Sequence, residues 1–373
     1  MISAQNTFPF SVRPDWPVAQ ARWKAFWDRQ PTDRPCLDIM VPRPTSMPKP
    51  VVPESMEARW MDPEYIAAKC LYYFASHYFL GEAVPAVSPG MIGTTTGCGS
   101  NIIFSEIAID YPICMQSIND EVPWHPGPGD PWRVKVDMIL NRLLDLAAGK
   151  FMVGHNTWQY LMSDFLPMLR GTEGFMLDLI DAPDVCLLKL KEMFPLWLEN
   201  QQHFESILDR RQGPCGTVLD YNTWSPDRVM STQADMSLMI SRETFDRFVL
   251  AELDMLAEHY DYLWYHACGC KRHLVSLLTR PYIRAIQYAP SPKEHDLPVT
   301  AHIAFYCEIQ AAGRCVDMSV SAKGVGLKTL EYVIRHLSPE GLVIHTSVET
   351  PEKAEQLLVD AVKWSGSDCH ASI

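Results

Sequence analysis

Side chains that bind metals or move protons crowd into one short stretch of this chain, His266-Ala267-Cys268-Gly269-Cys270. On an extended segment residues i and i+2 point to the same side, so His266 and Cys268 could hold one metal ion together. An imidazole nitrogen beside a thiolate sulfur is a Zn²⁺ ligand set, and a catalytic zinc site keeps its fourth position open. A third ligand must come from elsewhere; His345, Asp220, Cys270 and Asp317 are the candidates. The plainer reading is a buried histidine and two small buried thiols beside a strand end.

Other polar residues follow short apolar runs in the same way. Asn156 and Trp158 follow Phe-Met-Val-Gly, Asp220 follows Gly-Thr-Val-Leu, Asp317 ends Arg-Cys-Val-Asp, and His345 follows Leu-Val-Ile. Asp235 either sits in the pocket or satisfies loop amides. Trp158 and Trp224 form an aromatic wall or pack in the core. Lys271-Arg272-His273 reads as a solvated helix start, or as an anion site. No HExxH, GxSxG or EF-hand loop is present, so those hydrolase and calcium chemistries lack support.

The elements that must position these residues alternate. Cys36–Met40, Phe151–Gly154, Gly216–Leu219, Tyr262–Tyr265, Tyr282–Gln287, Arg314–Met318 and Leu342–Ile344 are short strand-like runs. Helical patterns follow several of them, at about 158–170, 271–278, 327–337 and 351–364, with a long amphipathic stretch over 182–211 and a capped helix start at Ser241. Such alternation predicts a parallel sheet with crossover helices. About seven runs favour a closed eight-stranded barrel over an open doubly wound sheet. No GxGxxG follows a strand and no GK[ST] loop exists. The expectation is an α/β fold, one (β/α)8 TIM barrel over residues 1–373, with an N-terminal Pro/Gly-rich insertion around PRPTSMPKPVVP and PWHPGPGDP.

Composition limits the partners. The 373 residues are 47% hydrophobic and 21% charged, ample for a core and unlike a disordered chain. A net charge of −13 opposes nucleic acid and anionic membranes. No apolar run reaches the length of a membrane span, and the first residues carry no secretory h-region. Eleven scattered cysteines, an odd number, suit a reducing compartment, the cytoplasm.

The order of motifs resembles the uroporphyrinogen decarboxylase superfamily, specifically its cobalamin-dependent methyltransferase-like branch. The similarity runs from RWKAFWDRQPTDRPCLDI through GKFMVG, DFLPMLRGTEGFMLDLIDAPDV and DMSLMISRETFDRFVLAEL to YHACG. It implies a TIM barrel whose C-terminal mouth holds zinc on a strand-end His-x-Cys and a distant Cys. Zinc there presents a substrate thiolate that attacks a methyl group on a corrinoid protein. His266 and Cys268 match the first two ligands. The last strand, GLVIHTSVETPEKA, has His345, Ser347 and Val348 where a Cys is expected, so His345 becomes the third ligand, or Cys270 is recruited. Asp220, Asp235 and Asn156 then orient substrate or move a proton, and Trp158, Trp224 and Asp317 contact it. The acceptor is a thiol or a pterin, and the donor a methyl-corrinoid protein or a methylated small molecule. The arginine-rich signature of the true decarboxylases has no counterpart in RPCLDIMVPRPTSMPKP. Two alternatives stand beside methyl transfer. One is a cofactor-independent decarboxylase or lyase acting on a carboxylated, porphyrin-like substrate, whose pocket aspartates stabilise a cationic intermediate. The other is a non-catalytic ligand-binding barrel.

Overall fold

Successive side chains along Cys36-Leu37-Asp38-Ile39 point to opposite faces of the first strand, as they do along the later strands. A computed structural model describes residues 12–98, 102–154, 162–213, 215–291, 294 and 296–366, without the side chains of Met162 and Asp220. Among the described residues the strands are β1 (Cys36–Pro42), β2 (His77–Gly81), β3 (Ala86–Val87), β4 (Ile103–Phe104), β5 (Ile109–Asp110), β6 (Met152–Val153), β7 (Thr217–Val218), β8 (Trp224–Ser225), β9 (Val229–Gln233), β10 (Tyr262–Cys268), β11 (Ile283–Ala289), β12 (Cys315–Ser319) and β13 (Leu342–Ser347).

Seven of these form one sheet in the order β2-β1-β13-β12-β11-β10-β9. β1 and β9 through β13 are parallel, and β2 runs antiparallel to β1. The sheet is mixed and open, which corrects the expected closed eight-stranded barrel. The reason lies in two runs that were expected to complete the ring. Phe-Met-Val-Gly yields only the two-residue β6, paired with β3. Gly-Thr-Val-Leu yields β7, which folds back antiparallel on β8. The backbone groups of β6 are used on β3 and those of β7 on β8, and the main ladder ends at β9 on one side and β2 on the other.

One face of the sheet is apolar. Leu37, Ile39, Leu263, Tyr265, Ile286, Val316, Met318 and Ile344 pack there against helices Ile303–Ala311, Gly326–His336 and Pro351–Ser365. The other face changes character along the strands. Near the strand starts, Cys36, Val229, Trp264, Ala285, Cys315 and Val343 meet Trp16, Trp23 and Trp27 of helix Trp16–Asp28. Near the strand ends it becomes polar. Among the described residues, no helix is long and apolar enough to cross a membrane.

An ion pair fixes the entry to β1. Arg34 grips Glu82 through two parallel hydrogen bonds of 2.7 and 2.8 Å, and Glu82 also accepts from the Leu37 amide at 2.8 Å. Both side chains are buried. Bidentate geometry is the arrangement in which buried charges hold each other best. Among the described residues, Arg34→Ala leaves that carboxylate with only Arg22, at 3.5 Å, as a cationic partner. Denaturant unfolding should show a loss of about 3 kcal/mol.

Candidate functional site

Register places a polar row on the inner face. Gln233 of β9 pairs with His266 of β10, His266 with Gln287 of β11, and Gln287 with Asp317 of β12. Asp38 of β1 pairs with His345 of β13, two residues beyond Val343, the partner of Asp317. Period-two alternation puts all six side chains on one face.

His345 is the charged centre of the row. Its Nδ1 lies 2.7 Å from Asp38 Oδ2 and its Nε2 lies 3.1 Å from Asp317 Oδ1. Burial pulls its pKa down, but Asp317 and Asp38 together outweigh burial and push it up to about 10. It is therefore an imidazolium at neutral pH. Asp317 Oδ2 accepts from Thr223 Oγ1 at 2.6 Å and from Trp264 Nε1 at 2.9 Å. His266 differs in charge. Burial lowers its pKa, partly opposed by Gln287, whose Oε1 accepts from Nδ1. Its ring stacks with Tyr221 and Trp264, centroids 6.1 and 6.3 Å away.

A second carboxylate group sits at the end of β9. Asp164, in the first turn of helix Met162–Arg170, is buried. Its Oδ1 accepts from the Asp235 amide at 2.7 Å and its Oδ2 from Gln233 Nε2 at 3.2 Å. Burial and the charge of Asp235 push its pKa up to about 8, against those two hydrogen bonds. Asp235 itself is exposed and accepts the Cys268 thiol hydrogen. Burial, with Asp235 adding, pushes that thiol up to about 12. Gly269 then turns the chain at φ +63°, a conformation that favours glycine. Cys270 reaches back to donate to the Ser237 carbonyl at 3.5 Å.

The residues expected to act together thus fall into different roles. His266 and Cys268 share one face of β10, and Asp235 meets Cys268. His345 and Asp317 converge with each other but are engaged in the ion-pair group, and Asp317 is fully buried. Trp224 is packed in the core: its Nε1 donates to the Cys215 carbonyl, its own carbonyl accepts from Trp27, and Trp16 stands edge-on to it. Asp220 opens the turn before β8, and its side chain lies outside the description; Asn156 and Trp158 lie outside the described residues. Sequence reading missed Asp164, Asp38, Gln233, Gln287 and Thr223. Two of them left a signal, because Asp38 in CLDIM and Asp164 in LMSDFLPML are lone charges in apolar surroundings.

A zinc ion does not fit the described residues. His345 has both ring nitrogens against carboxylates and Cys270 is tied to Ser237, so neither stands free as a third ligand beside His266 and Cys268. No three described His, Cys, Asp or Glu side chains are grouped to hold a metal. What the arrangement can do is store and release protons: a neutral carboxyl behind an exposed carboxylate, beside a neutral imidazole. In comparison with known proteins, the chain matches no protein-family model and no curated protein.

The His345 cluster has a pH signature. Its raised pKa stabilises the fold fully below about 6.5, and that contribution is lost as pH rises through about 10. The contribution of Asp164, with its proton also held more tightly in the fold, is lost earlier, between about 4 and 8. In an NMR titration, with the His345 resonance assigned from a His345→Gln variant, the ring should stay protonated past pH 8. Unfolding free energy should drop further between pH 8 and 10, on the order of 3 kcal/mol.

Proposed function

We propose that the chain is an enzyme of the uroporphyrinogen decarboxylase-like superfamily that works by metal-free proton transfer, as a lyase or decarboxylase on a small carboxylated substrate. The observation that carries this reading is Asp164, a buried carboxyl that keeps its proton to about pH 8 behind the exposed Asp235. A general acid is most effective when its pKa lies near the working pH. The proton held by Asp164 passes through Asp235 to an electron-rich carbon, which leaves Asp235 a carboxylate that stabilises the cation so formed. Water then returns a proton to Asp164. The bond to the substrate carboxyl then breaks, carbon dioxide leaves, and the electron pair neutralises the cation. Neutral His266, stacked with Tyr221 and Trp264, offers the ring a flat wall. His345 acts through Asp317 and Asp38, as a positioning residue.

Methyl transfer from a corrinoid partner is the second reading. It is favoured by His266 and Cys268 lying two apart on β10, on one face. The cytoplasm suits either reaction, since the ten described cysteines are free thiols.

Release of carbon dioxide from pyrrole and phenol carboxylates is the test. Asp164→Asn and Asp235→Asn should each lower kcat by about 100-fold or more. Because the acid must carry its proton, activity should fall as pH rises through about 8. Dialysis against a chelator should leave activity intact. Stoichiometric zinc that disappears in His266→Ala, with turnover of a methyl donor and no decarboxylation, replaces this reading with methyl transfer.

A further inference from the structure

Beside the polar row lies a cavity of about 490 Å³ that none of the chemistry above uses. Helices Met56–Met61 and Pro63–Ser76 form one wall and the strand-end segment after β3 another. Its lining includes two cations, Arg59 and Lys69, two aromatic rings, Trp60 and Tyr73, and no carboxylate. In a chain of net charge −13 that is a local reversal of sign. Lys69 is exposed and has no ion-pair partner among the described residues; the Tyr65 ring lies 5.6 Å from its ammonium. Arg59 is held by its Nε on the Pro53 carbonyl at 2.8 Å, and its Nη1 stands 3.5 Å from the well exposed Glu106. Both cations therefore retain donors for a ligand. Lys69 and Tyr73 are four residues apart, on one helix face.

The cavity communicates with the site through two of its own lining residues. Tyr73 hydrogen-bonds Asn222 and feels the charge of Asp38. Asn222 follows Tyr221, whose ring stacks with His266. The two lining residues Tyr73 and Asn222 thus stand between the cations of the cavity and the polar row.

We propose that this cavity is a substrate subsite that binds an anionic substituent on an aromatic ring, with Arg59 and Lys69 taking the anion and Trp60 and Tyr73 the ring. The inference rests on the proton-transfer reading for the reacting end of the substrate, and adds what holds the other end. A volume of a few hundred Å³, mixed aromatic and polar walls and a few charged groups are what a small-molecule site needs. Arginine suits a carboxylate or a phosphate alike, so the shared chemistry is an anion on a ring.

Titration calorimetry on the full chain tests it with benzoate, phenyl phosphate, benzamide and benzylamine. Benzoate and phenyl phosphate should bind saturably, whereas benzamide and benzylamine should not; the tighter of the two anions identifies the group. Arg59→Ala with Lys69→Ala should weaken benzoate by about tenfold or more. Lys69→Glu, at an exposed position that leaves the fold intact, should abolish binding. Absence of saturable benzoate binding, equal binding of benzamide, or indifference to both variants overturns the proposal. The two readings fail separately. Charge-dependent binding without decarboxylation leaves the subsite and removes the reaction. Decarboxylation whose KM ignores Lys69→Glu leaves the reaction and removes the subsite.

Discussion

An imidazolium held between two buried carboxylates, itself only slightly exposed, is the constraint around which the strand ends are arranged. Two negative charges and one positive charge leave an excess negative charge on the buried group formed by Asp38, His345 and Asp317. Removing charges from water is costly unless hydrogen bonds fill the remaining lone pairs. Thr223 Oγ1 and Trp264 Nε1 supply those bonds to Asp317. To bring Thr223 there, the chain between β7 and β8 must reverse sharply. Tyr221 and Asn222 do so at φ 57° and 61°, a region that residues other than glycine seldom enter. The Leu219 amide closes the turn on the Thr223 carbonyl at 2.7 Å. The same reversal makes 217–225 a small hairpin, so an electrostatic requirement and the open edge of the sheet share one cause.

Acidic groups in the row have different fates because their neighbours differ. Asp38 and Asp317 face a cation. Asp164 faces another carboxylate, is buried, and among the described residues receives two neutral hydrogen bonds and no ion pair. With no described cation to hold its charge, it keeps its proton instead. A single sheet edge thus carries a fixed ion-pair group on the β12-β13-β1 side and a titratable pair on the β9-β10 side, with His266 and Gln287 as neutral spacers between them. Separating fixed from mobile charge lets a proton move at one end without disturbing the alignment of strands at the other.

Much of the sheet was legible in the sequence and its closure was not. β1, β10, β11, β12 and β13 coincide with apolar runs bounded by turn residues, and helices Gly326–His336 and Pro351–Ser365 with their periodic patterns. β9 was missed because Val-Met-Ser-Thr-Gln carries no apolar alternation, although all five residues are buried. The small side chains there face neighbours that fill the space. A count of runs also cannot reveal with whom each will pair, and the hairpin of β7 and β8 is decided by Thr223 and Asp317, residues 94 apart. Of the site, the strand-end positions were legible because alternation fixes their face. Asp164 was not, since it comes from a helix and reaches the pocket through tertiary packing. Lys271-Arg272-His273, which reads as a solvated helix start, is in fact a staple: Arg272 donates to the Ser237 and Leu238 carbonyls and His273 stacks on Phe245 at 4.2 Å.

The His-x-Cys pair shows how far a local motif reaches. Alternation guarantees that His266 and Cys268 share a face, which is all a two-residue motif can promise. Whether the pair binds metal depends on what the neighbouring strands place beside each donor, and that is a property of register. Here β11 presents Gln287 to His266, and the loop after β9 presents Asp235 to Cys268. A carboxylate beside a thiol disfavours the thiolate that a metal requires. The same carboxylate keeps a neighbouring carboxyl protonated. One residue, Asp235, therefore disfavours the Cys268 thiolate and favours the protonated Asp164 carboxyl at the same strand end.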